Sequence, residues 1–274
     1  MLFLKVHTYS AAGASSVGFA ASCAAAAFVK NESILLRTAP TSASSLPSNA
    51  PRFVTISIIG FLVLVTVLFM QQSKFGKNPK GQNLEALKQS PNYRNGEFQN
   101  LSHTPALAEG KTTLGIAYNF FFTNYPRKVP VQPLPSVKTN LKEIPLDSNV
   151  LVWFGHSSYY LQVDGLRILV DPVFSGNASP VPGSVKAFAG TDRYTAEDLP
   201  QIDFLFISHD HYDHLDYETI TALKDKIAHV ICGLGVGSHF KKWGYPDAII
   251  TEKDWGQQVE LADNFTATLT PARH

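Results

Sequence analysis

Cysteine is nearly absent from this chain: its 274 residues hold two, Cys23 and Cys232. They lie far apart and form no CxxC pair, which excludes a disulfide framework and a cysteine-based zinc knuckle. Charge is also sparse, at 16% of residues, and balanced, with 23 Lys/Arg against 22 Asp/Glu. Without a basic excess there is no electrostatic footprint for nucleic acid. Ser157 and Ser158 are not framed by a Gly-x-Ser-x-Gly elbow, so a serine-hydrolase nucleophile is not indicated. Apolar residues are plentiful, 45% with 11% aromatic, which is enough to build a buried core.

The near-zero net charge hides an asymmetry. Residues 1–147 carry 14 Lys/Arg and 6 Asp/Glu, whereas 148–274 carry 9 and 16. Residues 1–52 are rich in Ala, Ser and Gly without a sustained helix or strand period, and no stable fold is expected there. Residues 53–70, from Phe53 to Met70, run without a charge. At about 1.5 Å per residue they give roughly 27 Å, which predicts one membrane-spanning helix. Lys74, Lys77 and Lys80 follow the run and only Arg52 closely precedes it, placing the remainder on the cytoplasmic side of a single-pass anchor. Residues 71–147 are rich in Lys, Asn, Gln and Pro and read as a linker or wrapping arm, with the apolar stretch 114–122 expected to pack on the next domain or touch lipid.

From residue 148 the texture changes to short β-rich runs. Val150–Phe154 and Tyr159–Val163 precede an Asp164-Gly165 pair and then Leu166–Val170, a strong hairpin signal. Further strands are predicted at 204–208, 229–232, 248–251 and 265–270, with helices at 217–226 and 236–243. Strands followed by alternating strands and helices give an α/β domain, a sheet with helices packed on it.

The apolar strand Phe204-Leu205-Phe206-Ile207-Ser208 runs straight into His209-Asp210-His211-Tyr212-Asp213-His214. Three imidazoles and two carboxylates in six residues at a strand end point to metal rather than to a chance polar loop. Alternation sends His209 and His211 to one side, and the following turn brings Asp213 and His214 to a neighbouring point. Such ligands suit zinc first, then iron or manganese. Two ions at this spacing share and activate a water, so hydrolysis needs no other nucleophile. Asp171, after the strand ending at Val170, reads either as an acceptor orienting a ligand imidazole or as an Asp-Pro strand terminator. His156, after Gly155, reads as a pocket residue or a structural histidine, and Trp153, Trp243 and Trp255 read as core.

The run Ser208-His209-Asp210-His211-Tyr212-Asp213-His214-Leu215-Asp216 resembles the metallo-β-lactamase superfamily. With Gly155-His156, Leu169-Val170-Asp171-Pro172-Val173-Phe174, Asn177-Ala178-Ser179-Pro180, Asp198-Leu199-Pro200-Gln201-Ile202-Asp203 and Thr270-Pro271-Ala272-Arg273-His274, it is more closely similar to the N-acylphosphatidylethanolamine-hydrolysing phospholipase D branch. The resemblance covers 148–274 and implies an αββα fold of which only the first half is encoded. It also implies that His209, His211 and His274 ligate one zinc ion, and that Asp213, the catalytic carboxylate, and His214 serve a second. Asp210 would be a variable loop residue.

The family pattern further needs a later bridging Asp and another His, and the chain ends on His274 before either. At most about one ion is therefore expected here. The implied function is a zinc-dependent phosphodiesterase acting on N-acylated phospholipids through a metal-bound hydroxide. The alternatives are a lactone or carbonyl-ester hydrolase using the same metals, or an inactive remnant, the chain being a fragment or a truncated product.

Overall fold

The computed structural model describes residues 3–8, 50–102, 105, 107–126, 128–263 and 265–271, with backbone alone for 3–8, 50–54 and 121. The chain divides into two compact units, residues 13–75 and residues 1–12 with 76–274.

Within residues 13–75 the main element is helix α1, Ala50–Met70. The membrane-spanning helix expected at 53–70 is not supported: among the described residues no helix is long and apolar enough to cross a membrane. Single-pass anchoring, and the cytoplasmic placement that rested on it, are set aside accordingly.

The larger unit is organised by a six-stranded sheet in the order β4-β5-β6-β7-β8-β9. Strands β4 (Val150–Gly155), β5 (Ser158–Val163) and β6 (Leu166–Val170) form an antiparallel meander. The β5–β6 turn holds Asp164 at φ 49° and Gly165 at φ 82°, the two left-handed conformations that a tight hairpin with the native twist demands. Strands β7 (Ile202–Ile207), β8 (Ile227–Gly233) and β9 (Ile250–Lys253) continue the sheet in parallel. Parallel strands need crossovers, and helices α4 (Tyr217–Leu223) and α5 (Gly237–Lys242) provide them.

Both faces of this sheet are covered, and the sequence alternation shows how. Leu205 and Ile207 of β7 join a core with Leu169, Val230, Ile220, Leu223 and Phe240 on one face. Phe204 and Phe206 turn to the other, with Ile168, Val170 and Ile231, against Ala267 and Leu269. The latter two belong to β11 (Phe265–Pro271), which pairs antiparallel with β10 (Gln258–Ala262). A strand buried on both sides must be apolar throughout, which is why β7 reads Phe-Leu-Phe-Ile without alternation.

Other elements are small or peripheral. Strand β1 (Phe3–Thr8), within the segment expected to hold no element, pairs parallel with β11. Strands β2 (Tyr93–Arg94) and β3 (Glu97–Phe98) form a hairpin after helix α2 (Gln82–Lys88). Helix α3 (Thr113–Phe122) leaves Leu114, Tyr118 and Phe122 exposed. The proline-rich stretch after it runs extended and delivers Leu141 into the first core, fully buried.

Candidate metal centre

The site lies where two parallel strands end side by side. At the end of β6 the chain breaks pleat with Asp171 at φ 42°, a left-handed conformation that a non-glycine residue holds at a cost of roughly 1–2 kcal/mol. Its amide still donates to Phe206 O at 3.0 Å, so the ladder between β6 and β7 reaches one residue past β6. The turn swings the carboxylate across the end of β7. There Asp171 Oδ1 accepts the Ser208 amide at 2.7 Å and Oδ2 accepts the Ser208 hydroxyl at 2.6 Å. Asp171 is 2% exposed, and a buried carboxylate is tolerable because donors surround it.

A third donor completes the set: Nδ1 of His214 lies 2.8 Å from Asp171 Oδ2. Because the carboxylate can only accept, His214 carries its proton on Nδ1 and presents the Nε2 lone pair. The same inventory fixes His209. Ser208 gives its one hydroxyl hydrogen to Asp171, so His209 Nδ1, 3.0 Å from Ser208 Oγ, is the donor of that pair. Both imidazoles are thereby held in the tautomer that ligates through Nε2.

The loop turns tightly, with His211 O accepting from the amides of His214 at 3.0 Å and Leu215 at 2.8 Å. This gathers the rings: His209 lies 4.6 Å from His211 and 4.0 Å from His214 between centroids. The separation into two pairs read from alternation is thus less clean than expected, since His209 packs closer to His214 than to His211. The loop is anchored below by Asp216, fully buried, whose Oδ2 accepts from Thr219 Oγ1 at 2.5 Å and from the Ser175 amide at 3.0 Å. Burial raises the Asp216 carboxyl above the usual aspartate range against the opposing pull of these donors. Tyr212 donates to Glu218 Oε2 at 2.5 Å, and burial first, then this bond, push its phenol well above the ordinary value.

His156 arrives from the other direction. Gly155 at φ 109° and His156 at φ 45° turn the chain between β4 and β5. The imidazole Nε2 then lies 3.1 Å from Asp213 Oδ2 and 3.3 Å from His214 Nε2. Asp213 Oδ2 and His214 Nε2 are 3.8 Å apart. Among the described residues, His156, Asp213 and His214 form a group whose potential ligand atoms all lie within 4.8 Å. Neutral imidazole nitrogens with a carboxylate are a donor set that fits zinc, iron or manganese. His274 lies outside the described residues.

Several contributors escaped sequence reasoning. Ser208 joins Asp171 to His209, and only its adjacency to the motif marks it. Trp153 is 66% exposed rather than core, and its indole donates to His156 O at 3.0 Å. His239, within the stretch 236–243 predicted as helix, lies with Nε2 3.6 Å from Asp210 Oδ2 while its Nδ1 accepts the Lys77 amide at 3.2 Å. No local pattern links positions so distant in sequence.

The chain is similar to several known proteins. Residues 166–274 match a family model described as a beta-lactamase superfamily domain. The chain is 37% identical over 189 residues to an uncharacterized protein of Mycobacterium tuberculosis, covering 68% of this chain and 50% of that one. It is 32% identical over 137 residues to the N-acyl-phosphatidylethanolamine-hydrolyzing phospholipase D 1 of Caenorhabditis elegans, covering 44% of this chain and 36% of that protein. It is 28% identical over 123 residues to a UPF0173 metal-dependent hydrolase of Pyrobaculum neutrophilum, covering 44% and 49%. The chain thus spans half the length, or less, of these relatives.

Proposed function

We propose, from the metallo-β-lactamase superfamily domain that residues 166–274 constitute, that this protein is a metal-dependent hydrolase of phosphodiesters in N-acylated phospholipids. The observation that carries the reading is the Asp171–Ser208–His214 arrangement at the ends of β6 and β7. A buried carboxylate that fixes an imidazole tautomer is the usual support of a ligating histidine. The relative from Caenorhabditis elegans, named for hydrolysing N-acyl-phosphatidylethanolamine, supplies the substrate class.

In this reading His209, His211 and His274 hold one ion, and Asp213 and His214 take part in holding a second, with zinc the first choice. A bound divalent ion supplies an activated water and positive charge at the phosphoryl oxygens. The chain's own residues do the rest. Asp171 keeps the His214 proton on Nδ1 and so away from the reacting atoms. Ser208 relays the same constraint to His209. Asp213, half-exposed at the mouth of the group, accepts a proton or hydrogen bond from the attacking water and orients it. The buried Asp216 carboxylate, which accepts from Thr219 in α4 and from the Ser175 amide, anchors the end of the loop.

The test is hydrolysis by the purified 274-residue chain supplied in turn with Zn2+, Mn2+ and Fe2+. N-acylphosphatidylethanolamine in mixed micelles and an acyl lactone are compared as substrates. Phosphodiester cleavage that stops on chelation supports the reading. Lactone hydrolysis alone moves the assignment to carbonyl esters, and no turnover of either substrate with any metal defeats it.

A further inference from the structure

His156, read from the sequence as a pocket or structural residue, lies within 3.3 Å of both Asp213 Oδ2 and His214 Nε2. We infer that His156 is a further protein ligand of the ion held by Asp213 and His214, and that Trp153 is the residue that positions it; this rests on the metal-dependent reading of the same site.

The first argument is metric. Bonds of about 2.0–2.1 Å to nitrogen and oxygen place the donors of a tetrahedral ion about 3.3 Å apart. The three atoms His156 Nε2, Asp213 Oδ2 and His214 Nε2 stand 3.1, 3.3 and 3.8 Å from one another. They outline one face of such a tetrahedron. A catalytic zinc ion is held by donors of this kind and keeps a position for water or substrate.

The second argument is conformational. His156 sits at φ 45°, a region that L residues avoid, directly after Gly155 at φ 109°. A two-residue hairpin such as the one between β4 and β5 takes this conformation, but Asn, Asp or Gly usually occupies it, and here the position carries an imidazole. Trp153, on an edge strand and two-thirds exposed, gains little from burial, and its indole N–H donates to His156 O at 3.0 Å. That bond clamps the turn and aims the imidazole inward across the strand end. His156 contributes little to the core, since its side chain is 60% exposed, so the turn's backbone does not by itself explain why an imidazole stands there.

The ligand set therefore draws on two separate parts of the sheet. The loop after β7 brings Asp213 and His214, and the turn between β4 and β5 brings His156. An ion bound there would staple the antiparallel edge of the sheet to its parallel centre.

The experiment is Zn2+ affinity by competition with a chromophoric chelator, using the full chain, His156→Asn and Trp153→Phe. Asparagine tolerates the left-handed conformation and keeps a polar side chain, so the turn survives while the imidazole is lost. The expected result is a loss of affinity of about 100-fold for His156→Asn and about tenfold for Trp153→Phe. In the wild-type chain, Zn2+ should shift one imidazole Nε2 resonance that is missing from the His156→Asn spectrum. Equal Zn2+ affinity of His156→Asn and wild type overturns the assignment while leaving the metal-dependent reading intact. A wild-type chain that binds no Zn2+ overturns both.

Discussion

Asp171 and His214, 43 residues apart in sequence, are joined by a 2.8 Å contact between Oδ2 and Nδ1. The same carboxylate takes both donors of Ser208. Replacing Asp171 with Asn preserves the shape and tolerates the left-handed backbone but removes the charge and one acceptor. Zn2+ affinity should fall by about 10–100-fold. Asp171→Ala leaves buried donors stranded as well, and should cost about 1–3 kcal/mol of stability in urea unfolding. An Asp171→Asn chain with unchanged Zn2+ affinity would show that the carboxylate supports the loop without tuning a ligand.

Gly76 carries a second, steric prediction. It stands at φ 63°, and a Cβ built on it would lie 1.8 Å from Nδ1 of His239. His239 is nearly buried between the Lys77 amide and Asp210, so it cannot move aside without breaking those contacts. Gly76→Ala should destabilise the chain by about 1–3 kcal/mol, from backbone strain and the displaced ring together. Urea unfolding measures it, and His239→Ala in the Gly76→Ala background should recover part of the loss by vacating the space.

How much of this was legible beforehand follows from the range of each interaction. The β7 strand and its polar end were readable because burial on both faces forces an unbroken apolar run, which stops abruptly at Ser208. The Asp164-Gly165 turn was readable because two consecutive left-handed residues admit few side chains. Strand β10 was missed: Gln258-Val259-Glu260-Leu261-Ala262 alternates only weakly, and what makes it a strand is pairing with β11. The membrane helix was over-read because an apolar run states only that side chains avoid water. The reach of His156 to His214 and of His239 to Asp210 depends on which strands become neighbours, which single-residue chemistry does not encode.

The arm before β4 is tied to the body by Lys138 Nζ and Asp198 Oδ2, 2.8 Å apart. The Lys138 bond is the largest of the influences that hold the Asp198 carboxyl below its ordinary 3.8. A depressed folded-state value means that this stability is present above 3.8 and is lost as pH falls through the lowered value. Lys138→Met should therefore cost stability near neutral pH, by about 0.2–1 kcal/mol for so exposed a pair. The difference from wild type should vanish in acid and shrink in high salt. Urea midpoints at pH 7 and pH 2.5 measure it. A cost that persists at the lower pH would mean that packing of the lysine stem, and not the ion pair, fixes the arm.

Metal binding should also appear as stability. A ligand that binds only the folded chain stabilises it by about 2.7 kcal/mol at 100 times its dissociation constant. Here the gain should be smaller. Residues 209–214 keep three imidazoles and two carboxylates within one short loop even when unfolded, so the denatured chain retains some affinity for Zn2+. His156 and Asp171, by contrast, reach that loop only through the folded sheet. Replacing either should therefore weaken binding to the folded chain while leaving the residual affinity of the unfolded chain unchanged. The Zn2+-dependent rise in urea midpoint should accordingly collapse in His156→Asn and Asp171→Asn by more than their zinc-free stabilities differ from wild type. If the rise survives both substitutions, the ion is held by the contiguous loop alone and the folded sheet contributes nothing to its capture.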